Sequence, residues 1–541
     1  LPGTFLDIGI RGPVRSRQGL EAVRQEGAGQ EAAFGFFDRN AWLVELDGSP
    51  AACLDLRADP APELHEIRLS LPDPSHAVAA CLVPTLDSRD PDIWVPVLLG
   101  LRAVRGSLEA EGDARVLALP DGEGRLVLAL AIQVLDVDEP GLLAVLGRAP
   151  DTVREAGDRY RDWLAEILDG LDRNVDFSGP DAPLLAEAVL TLVQNCCLAP
   201  GLLRNHISCF PSRGGYPTHF LWDACFQNLG LEFLHPRLAE DSLLQLTDTL
   251  RCDGKMPSFL CSTWLRPHES QPPLVGWAAL RLLDQPNGRA FAARILDPLA
   301  ANCRWWLAQR MSRNGLLFSH HPIETGWDNT PRFDAGPIEA LDMNSYLIVQ
   351  LRACSRMGRL LGRTDLSAEM DTAADRLSER LLALTCDKAD NLFYDRVRDT
   401  GEFVRIRTPA CFLPLWAGVG LPEDRARRMI ETVLLDPGSF NGPVPMPSVG
   451  CGEAAYEPRN WWRGPMWPPV AYLMLELLDR YGYQAEREAI AGRIYGWMAA
   501  DGRLSELFHS DTGMGAGCRQ QGWTAGVVLR LKHEYPALGI V

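Results

Sequence analysis

The chain has 541 residues, 46% of them hydrophobic, and its 53 Lys and Arg residues against 71 Asp and Glu residues give a net charge of −18. Such a length is more than one ordinary core needs, so two or more domains are expected unless a large helical barrel takes up most of the chain. The negative charge argues against nucleic acid and anionic membrane surfaces as partners, whereas a neutral small molecule would be indifferent to it.

The start of the chain shows no targeting signal. Its first residues, LPGTFLDIGIRG, lack the basic and then apolar order of a secretory signal, and no apolar run of about 18 residues occurs that could span a membrane. A soluble, cytoplasmic protein is therefore expected. Because the first residue is Leu1 rather than Met, a removed targeting peptide stays open.

The first part of the chain, residues 1–150, consists of short apolar runs broken by Gly, Pro and Asp, as in AWLVELDGSPAACLDL. The repeated spacing of strands and turns predicts an N-terminal antiparallel β-sandwich domain. Apolar side chains then recur at helical spacing, which predicts a connecting helical linker over residues 151–180.

The remainder, residues 181–541, is predicted to be helical. Segments such as PLLAEAVLTLVQNCCLA have the period of an amphipathic helix, and there are about a dozen of them, separated by loops rich in Gly, Pro and aromatic residues. A dozen antiparallel helices can form two concentric rings with the loops gathered at the mouth. A solenoid is less favoured, because no repeat of fixed length is found. The fold class expected is mainly α.

Two carboxylates far apart in the chain are the candidates for chemistry. The segment GWDNTPRF sets Asp328 among an aromatic, an amide and a cation, and LSELFHSDTGMGAG contains Glu506. Hydrolysis of a sugar bond with inversion needs one protonated carboxyl and one ionised carboxylate. Apolar neighbours such as Trp327 would raise the pKa of Asp328 and suit it to the acid role, with Glu506 as the base. The opposite assignment stays open, as does a structural one in which Asp328 caps a turn.

Aromatic segments supply candidates for binding a sugar. In HFLWDACF, Trp222 offers an aromatic platform and Asp223 a hydrogen-bond acceptor, although a helical Trp is often a core residue. In NWWRGPMWPP, a turn at Gly464 would project Trp462 and Arg463 into the mouth. A structural Arg stacked on Trp is the alternative.

Two more polar residues lie in the predicted loops. Gln271, in SQPPLVGW, offers a donor and an acceptor, and Glu324 is either a hydrogen-bonding residue of the site or an anchor of its loop. No G-x-S-x-G or phosphate-binding loop is present. The fourteen cysteines are scattered without a C-x-x-C pair, which predicts buried thiols rather than disulfides or zinc, so no metal or other cofactor is expected.

Taken together and in this order, FLWDACF, SQPPLVGW, ETGWDNTPRF, WWRGPMWPP and SELFHSDTG resemble glycoside hydrolase family 63 and its trehalase-like relatives, which include glucosylglycerate and mannosylglycerate hydrolases. The resemblance covers roughly Asn205 to Arg530. It implies an (α/α)6 barrel and an inverting, exo-acting α-glycoside hydrolase that acts on a small α-glucoside or α-mannoside. The oligomeric state has no signature in the sequence.

The resemblance also implies roles for individual residues. Asp328 matches the general acid of the family and Glu506 its general base. Positions that contact the sugar match Tyr216, Phe220, Asp223, Gln271, Gly326, Trp462 and Gly464. Phe220 stands where a Trp is expected, and Trp327 stands where a Met is expected, so the preferred sugar could differ from that of relatives.

Two other functions are weighed against hydrolysis. A glycoside phosphorylase on a similar barrel would use phosphate in place of water and would need a basic pocket near the base, for which Arg463 is a single cation. A noncatalytic carbohydrate-binding protein would keep the tryptophans yet tolerate loss of either carboxylate. Both carboxylates are present, which favours the hydrolase.

Overall fold

The computed structural model describes a large part of the chain, namely residues 5–9, 14–18, 23–27, 30–38, 41–47, 52–57, 65–84, 94–110, 115–123, 125–134, 139–149, 177, 179–197, 201–203, 205–212, 215–216, 218–261 and 269–538. The predicted connecting helix over residues 151–180 lies almost wholly outside these residues and stays a prediction.

The chain divides into two compact units. The first unit comprises Leu1–Asp169, Leu198–Ile207 and Leu260–Leu265, and the second comprises Gly170–Cys197, Ser208–Phe259 and Arg266–Val541. Nearly all the described strands of more than three residues belong to the first unit and nearly all the described helices to the second. The boundaries expected at residues 150 and 181 stay predictions.

Twelve strands are described in the first unit: β1 (Phe5–Gly9), β2 (Val14–Gln18), β3 (Val23–Gly27), β4 (Gln30–Asp38), β5 (Ala41–Asp47), β6 (Ala52–Arg57), β7 (His65–Asp73), β8 (His76–Pro84), β9 (Trp94–Arg105), β10 (Ser107–Ala110), β11 (Arg115–Leu119) and β12 (Arg125–Val134). They form a four-stranded sheet in the order β1-β6-β11-β10 and an eight-stranded sheet in the order β2-β3-β4-β5-β12-β9-β8-β7. Neighbouring strands pair in antiparallel register. The face-to-face packing of a sandwich stays a prediction.

One helix, α1 (Glu139–Gly147), packs on the eight-stranded sheet of the first unit. Alternate residues of β12, among them Val127 and Ala129, point to one face of the sheet, where they meet Leu142 and Leu146 of the helix. This side of the sheet therefore has an apolar core of its own.

The second unit contains the helices α2 (Ala182–Asn195), α3 (Leu221–Leu234), α4 (Pro236–Thr247), α5 (Val275–Arg281), α6 (Gly288–Gln309), α7 (Leu341–Leu361), α8 (Thr364–Thr385), α9 (Leu413–Trp416), α10 (Glu423–Met429), α11 (Pro468–Arg480), α12 (Gln484–Asp501) and α13 (Gly522–Glu534). Short strands connect them: β13 (Cys196–Cys197), β14 (Ser208–Cys209), β15 (His219–Phe220), β16 (Phe259–Leu260), β17 (Phe318–Ser319), β18 (Ile338–Glu339), β19 (Cys386–Asp387), β20 (Leu392–Phe393), β21 (Asp395–Val397), β22 (Phe403–Val404), β23 (Leu507–Phe508) and β24 (Gly515–Ala516).

Six of these helices close into a ring. Along the chain α3 contacts α5, α5 contacts α7, α7 contacts α9, α9 contacts α11 and α11 contacts α13, which in turn contacts α3. Helices α2, α4, α6, α8 and α12 pack against members of this ring. Every residue of α3 is buried, whereas α8 buries only one side, as expected for an inner and an outer helix. The mainly helical character predicted from the sequence is confirmed.

None of the helices within the described residues combines the length and apolar character needed to cross a membrane.

The ring closes where α3 crosses α13, through a contact between two glycines. A Cβ added at Gly526 would lie 2.7 Å from the carbonyl oxygen of Phe226, and one added at Gly230 would lie 2.9 Å from the Cα of Gly526. The two backbones therefore approach more closely than any side chain would allow. The amphipathic pattern of the sequence did not single out either glycine.

We expect Gly526→Ala to destabilise the protein by about 1–3 kcal/mol, because the added methyl group has no space at the crossing. The matched control is Gly496→Ala, in α12, where an added Cβ meets nothing within 4 Å. That change should leave stability unchanged or raise it by about 0.5–1 kcal/mol. Urea denaturation of both variants measures the difference, and equal effects would contradict the close crossing.

Candidate active site

The loop that carries Asp328 lies between two short 3₁₀ helices of the second unit, Pro322–Thr325 and Pro331–Phe333. The first ends at Gly326, which has a φ of 76°. A Cβ at Gly326 would come within 3.2 Å of the indole ring of Trp222. The positive φ favours glycine here, and any side chain would also press against the Trp222 ring.

A buried ionic network anchors the same loop. Arg332, which is 0% exposed, donates through Nη1 and Nη2 to Asp342 at 2.7 and 2.8 Å and through Nε and Nη2 to Asp395 at 2.7 and 2.8 Å. Asp342 lies in the first turn of α7, and Asp395 begins β21 and also accepts from the backbone of Leu341. The position of Asp328 is thus fixed to a helix and a strand.

Stacked tryptophans form the apolar wall beside the loop. Trp462 lies between Trp327 and Trp467, with ring centroids 5.1 and 3.8 Å away and nearly parallel planes, and Trp222 meets Trp462 edge-on at 6.5 Å. All four are buried, and Trp327 is 0% exposed. Trp222, Trp327 and Trp462, predicted to bind a sugar, therefore support the wall, and little of their surface faces solvent.

Asp328 is exposed at the surface of the site, although nearby protein atoms reduce the hydration of its carboxyl group. Burial raises the pKa of Asp328, while a hydrogen bond from Trp461 and the charge of His321 act in the opposite direction. Trp461 has a φ of 43°, which a residue with a large side chain rarely adopts. Trp461 belongs to the predicted tryptophan-rich segment, but only Trp462 was among the predicted site residues, because an unusual backbone conformation turns the Trp461 ring towards the carboxyl.

Glu506 directly precedes β23, which pairs with β24 in a short antiparallel hairpin. The residue is 3% exposed, and its Oε2 atom accepts a hydrogen bond from the backbone N–H of Cys518 at 2.8 Å. Burial raises the pKa of Glu506 to about 7, although hydrogen bonds from Cys518 and Tyr216 oppose that rise and the charge of Asp328 adds to it. The carboxyl can therefore both hold and release a proton near neutral pH.

The structure brings three predicted carboxylates and one tyrosine into a single electrostatic group. Burial raises the pKa of Asp223 well above its usual range, and the charges of Glu506 and Asp328 add to the effect. Burial also raises the pKa of Tyr216, together with the charges of Glu506, Cys518, Asp223 and Asp328. These residues come from distant parts of the chain, so the ring of helices unites them.

Two further predicted residues flank this group. Gln271 accepts a hydrogen bond from the backbone N–H of Trp222 at 3.1 Å, which fixes the start of α3. Phe220 is half-buried, stacks on Phe259 at 4.6 Å and meets the ring of Tyr216 edge-on at 6.0 Å. Gln271 therefore positions Trp222, and Phe220 packs against Tyr216, both of which lie next to the group of carboxylates.

Two of the predicted residues are held by protein partners. Glu324 accepts from both terminal nitrogens of Arg310 at 2.8 and 2.6 Å. Burial alone would raise the pKa of Glu324, but the hydrogen bonds and charge of Arg310 outweigh it and lower the pKa. Arg463 pairs with Asp334 at 2.6 Å.

Gly464 has a structural reason to be glycine. A Cβ there would lie 2.2 Å from the carbonyl oxygen of Glu457. The turn in WWRGP therefore depends on a close backbone approach. No group of three or more His, Cys, Asp or Glu side chains that could hold a metal ion occurs among the residues that the structure describes.

Comparison with known proteins bears on this arrangement of carboxylates. The sequence model of the mannosylglycerate hydrolase MGH1-like glycoside hydrolase domain matches residues 216–524, a span that contains Asp223, Asp328 and Glu506. The chain belongs to this family. It is a glycoside hydrolase, and the predicted relationship to glycoside hydrolase family 63 and its trehalase-like relatives is confirmed.

Individual relatives of this glycoside hydrolase are distant. Mannosylglycerate hydrolase MGH1 of Selaginella moellendorffii is 27% identical in an alignment of 402 positions, and the match covers 59% of this chain and 81% of that protein. Glucosylglycerate hydrolase of Mycolicibacterium hassiacum is 25% identical in an alignment of 411 positions, and that match covers 58% of this chain and 91% of the relative. A solved structure, the GH63 mannosylglycerate hydrolase from Thermus thermophilus in complex with Tris, is 23% identical and covers 64% of this chain and 99% of its own, with a TM-score of 0.57. The last likeness shows a shared fold.

We expect Glu506→Gln to raise the melting temperature of the hydrolase by a few degrees at pH 8. The pKa of Glu506 is raised from 4.5 to about 7 on folding, so the folded state keeps a proton that the unfolded state releases between these values. The ionised carboxyl therefore lowers stability as the pH rises through this window, and the loss persists above it.

At pH 4.5 the same substitution should give a smaller gain, because the carboxyl is then protonated in the folded state. Glu402→Gln, which removes an exposed charge, is the matched control. Thermal unfolding of both variants at the two pH values measures the effect, and a gain that does not depend on pH would argue against the raised pKa.

Proposed function

We propose that this glycoside hydrolase cleaves the α-glycosidic bond of a small glucoside or mannoside with inversion, with Asp328 as general acid and Glu506 as general base. One observation carries the proposal: two carboxyl groups from distant loops share one site, where the charge of Asp328 raises the pKa of Glu506. Inverting hydrolysis needs such a pair, one member protonated and the other ionised.

The substrate class follows from the relatives. Proteins named mannosylglycerate hydrolase and glucosylglycerate hydrolase align with this chain over most of their own length. We therefore propose a hexose joined to glycerate, or to a similarly small aglycone, as the substrate. The fold that accompanies this proposal is an (α/α)6 barrel preceded by an N-terminal β-sandwich domain, and a cytoplasmic location is proposed with it.

The proton balance of the site supports a pair with one shared proton. Burial raises the pKa of both carboxyls, and that of Glu506 to about 7, so below neutral pH Glu506 holds a proton in the free enzyme. The productive form in our assignment has this proton on Asp328. Both forms carry the same net charge, and the interconversion moves one proton within the coupled pair.

In this proposal hydrolysis takes place in one step, in which one bond breaks, one bond forms and two protons are transferred. Asp328 donates its proton to the oxygen of the leaving aglycone as the glycosidic bond breaks, and Glu506 takes a proton from the attacking water as the new bond forms at the anomeric carbon. Asp328 ends ionised and Glu506 protonated. Return of the proton to Asp328 through solvent restores the starting state.

The ion pair formed by Arg463 argues against phosphorolysis. Arg463, the residue that could have received a phosphate, is paired with Asp334. A guanidinium already neutralised by a carboxylate attracts an anion less strongly. Hydrolysis is therefore favoured over phosphorolysis.

The substrate proposal is tested with a panel of α-glucosides, α-mannosides and their glycerate conjugates. We expect the highest kcat/KM on a glycerate conjugate, and proton NMR of the first turnovers should show the β-anomer of the free sugar, because water attacks the face opposite to the leaving group. Appearance of the α-anomer would contradict inversion, and no turnover of any member would overturn the proposed function.

The roles of general acid and general base can be told apart by changing the leaving group of the substrate. Asp328→Asn should reduce hydrolysis of an alkyl glycoside by about 10²–10⁴-fold, since this is the usual contribution of a general acid. The same variant should keep much more of its activity on the α-glycosyl fluoride, because fluoride leaves without being protonated.

Glu506→Gln is the matched variant for this experiment. It should lose activity on both substrates, since each reaction needs an activated water. Rates with both substrates, measured on variants whose melting temperatures show them to be folded, give the answer. If Glu506→Gln rather than Asp328→Asn were spared on the fluoride, the roles would be exchanged.

A further inference from the structure

The hairpin that carries Glu506 folds back so that Cys518 lies beside the carboxylate. The backbone N–H of Glu506 donates to the carbonyl oxygen of Cys518 at 2.9 Å, and the backbone N–H of Cys518 donates to Oε2 of Glu506 at 2.8 Å. Gly517 has a φ of 75°, and a Cβ there would lie 2.4 Å from the same Oε2 atom. The carboxylate thus rests directly on the backbone of the hairpin.

The thiol of Cys518 is on the same residue as this donating N–H and interacts with the same carboxylate. Burial first, and then the charge of Glu506 and a hydrogen bond to it, raise the pKa of the thiol. On its other side a Cβ added at Gly215 would lie 2.1 Å from Sγ, so the sulfur presses against the backbone of that glycine. The next residue, Tyr216, also hydrogen-bonds Glu506. The thiol is therefore held between two backbone segments and has little freedom to turn away.

Four ionisable groups face the Glu506 carboxyl. The hydroxyl of Tyr216 and the thiol of Cys518 donate hydrogen bonds, which favour the ionised carboxylate, while Asp223 and Asp328 bring negative charge that disfavours it. The donors are needed because burial also disfavours the charge. A change at Cys518 removes one of the few groups that oppose protonation.

We infer that Cys518 is a positioning residue that holds the Glu506 carboxylate through its backbone N–H and its thiol and favours the form able to accept a proton from water. The inference rests on the proposed function, in which Glu506 is the base. In this role the thiol forms and breaks no bond during the reaction. Its contribution is the orientation and the proton affinity of the carboxylate.

The first test compares Cys518→Ala with Cys518→Ser in the full chain. The serine hydroxyl keeps a donor at the same place, so its pH profile of kcat/KM should resemble that of the wild type. The alanine variant should lose roughly 3- to 10-fold in kcat/KM, the range expected for one hydrogen bond. The alkaline limb of the pH profile of the alanine variant should also move to higher pH. Without the thiol donor the pKa of Glu506 rises, so the Asp328–Glu506 pair loses its last proton at a higher pH.

The second test does not depend on activity. The pKa of Cys518 is raised to about 11, by burial first and then by the charge and hydrogen bond of Glu506. Because the coupling between two sites is reciprocal, Glu506→Gln should move the alkylation of this thiol by iodoacetamide to lower pH. Mass spectrometry of the peptide that contains Cys518 follows this thiol alone, and Glu402→Gln is the control that should leave the profile unchanged.

The outcomes separate the two proposals. If the wild type hydrolyses a glycoside while Cys518→Ala leaves the alkaline limb in place and Glu506→Gln leaves the alkylation profile unchanged, the role of Cys518 is refuted and the proposed function stands. If the wild type hydrolyses nothing, the proposed function is lost, and the alkylation profile still decides whether the thiol and the carboxylate are coupled. If both Cys518 variants lost activity while the alkaline limb of their pH profiles stayed in place, the side chain of Cys518 would act only through packing, and the inferred role would be refuted.

Discussion

The candidate site depends on one buried guanidinium. Arg332 is fully enclosed, and burying its charge would be prohibitive without the two carboxylates of Asp342 and Asp395, which together accept four hydrogen bonds from it. Removing one partner from such a network typically costs about 3–5 kcal/mol. The Arg332 guanidinium also lies 5.1 Å above the ring of Trp327, so the same cation supports the aromatic stack and the loop that presents Asp328.

The two catalytic candidates are therefore held by different means. The loop of Asp328 is fixed by charges buried beneath it, whereas Glu506 is fixed by backbone donors and by glycines that let the chain come close. The first arrangement leaves Asp328 exposed at the surface of the site. The second one encloses the carboxyl group of Glu506, which is why burial raises the pKa of Glu506 as far as about 7.

Much of this architecture could be predicted from the sequence, because it follows from local patterns. Apolar residues at helical spacing predicted the helical second unit, and the order of aromatic, Gly and acidic residues around Asp328 and Glu506 predicted both candidate residues. What could not be predicted depends on contacts between distant segments. Glu324 and Arg463 have ordinary sequence surroundings, and only the fold reveals that Arg310 and Asp334 engage them.

Two residues beside the carboxyls, Trp461 and Cys518, were not among the predicted site residues, because neither has a periodic signal. Trp461 reaches Asp328 because its backbone adopts a left-handed conformation, and no pattern of residue types encodes that turn. Cys518 is one of many scattered cysteines. It lies beside Glu506 because β23 pairs with β24. Short strands of two residues carry too little sequence information to be recognised beforehand.

The glycine crossing between α3 and α13 has a consequence for how this enzyme could diversify. Two backbones in van der Waals contact cannot come any nearer, and a larger residue at Gly230 or Gly526 would force them apart. The distance between α3 and α13 is consequently fixed, and with it the width of the helical ring at this crossing. Accommodation of a bulkier or smaller aglycone then falls to the connecting loops, which can lengthen or exchange residues while the scaffold beneath them keeps its dimensions.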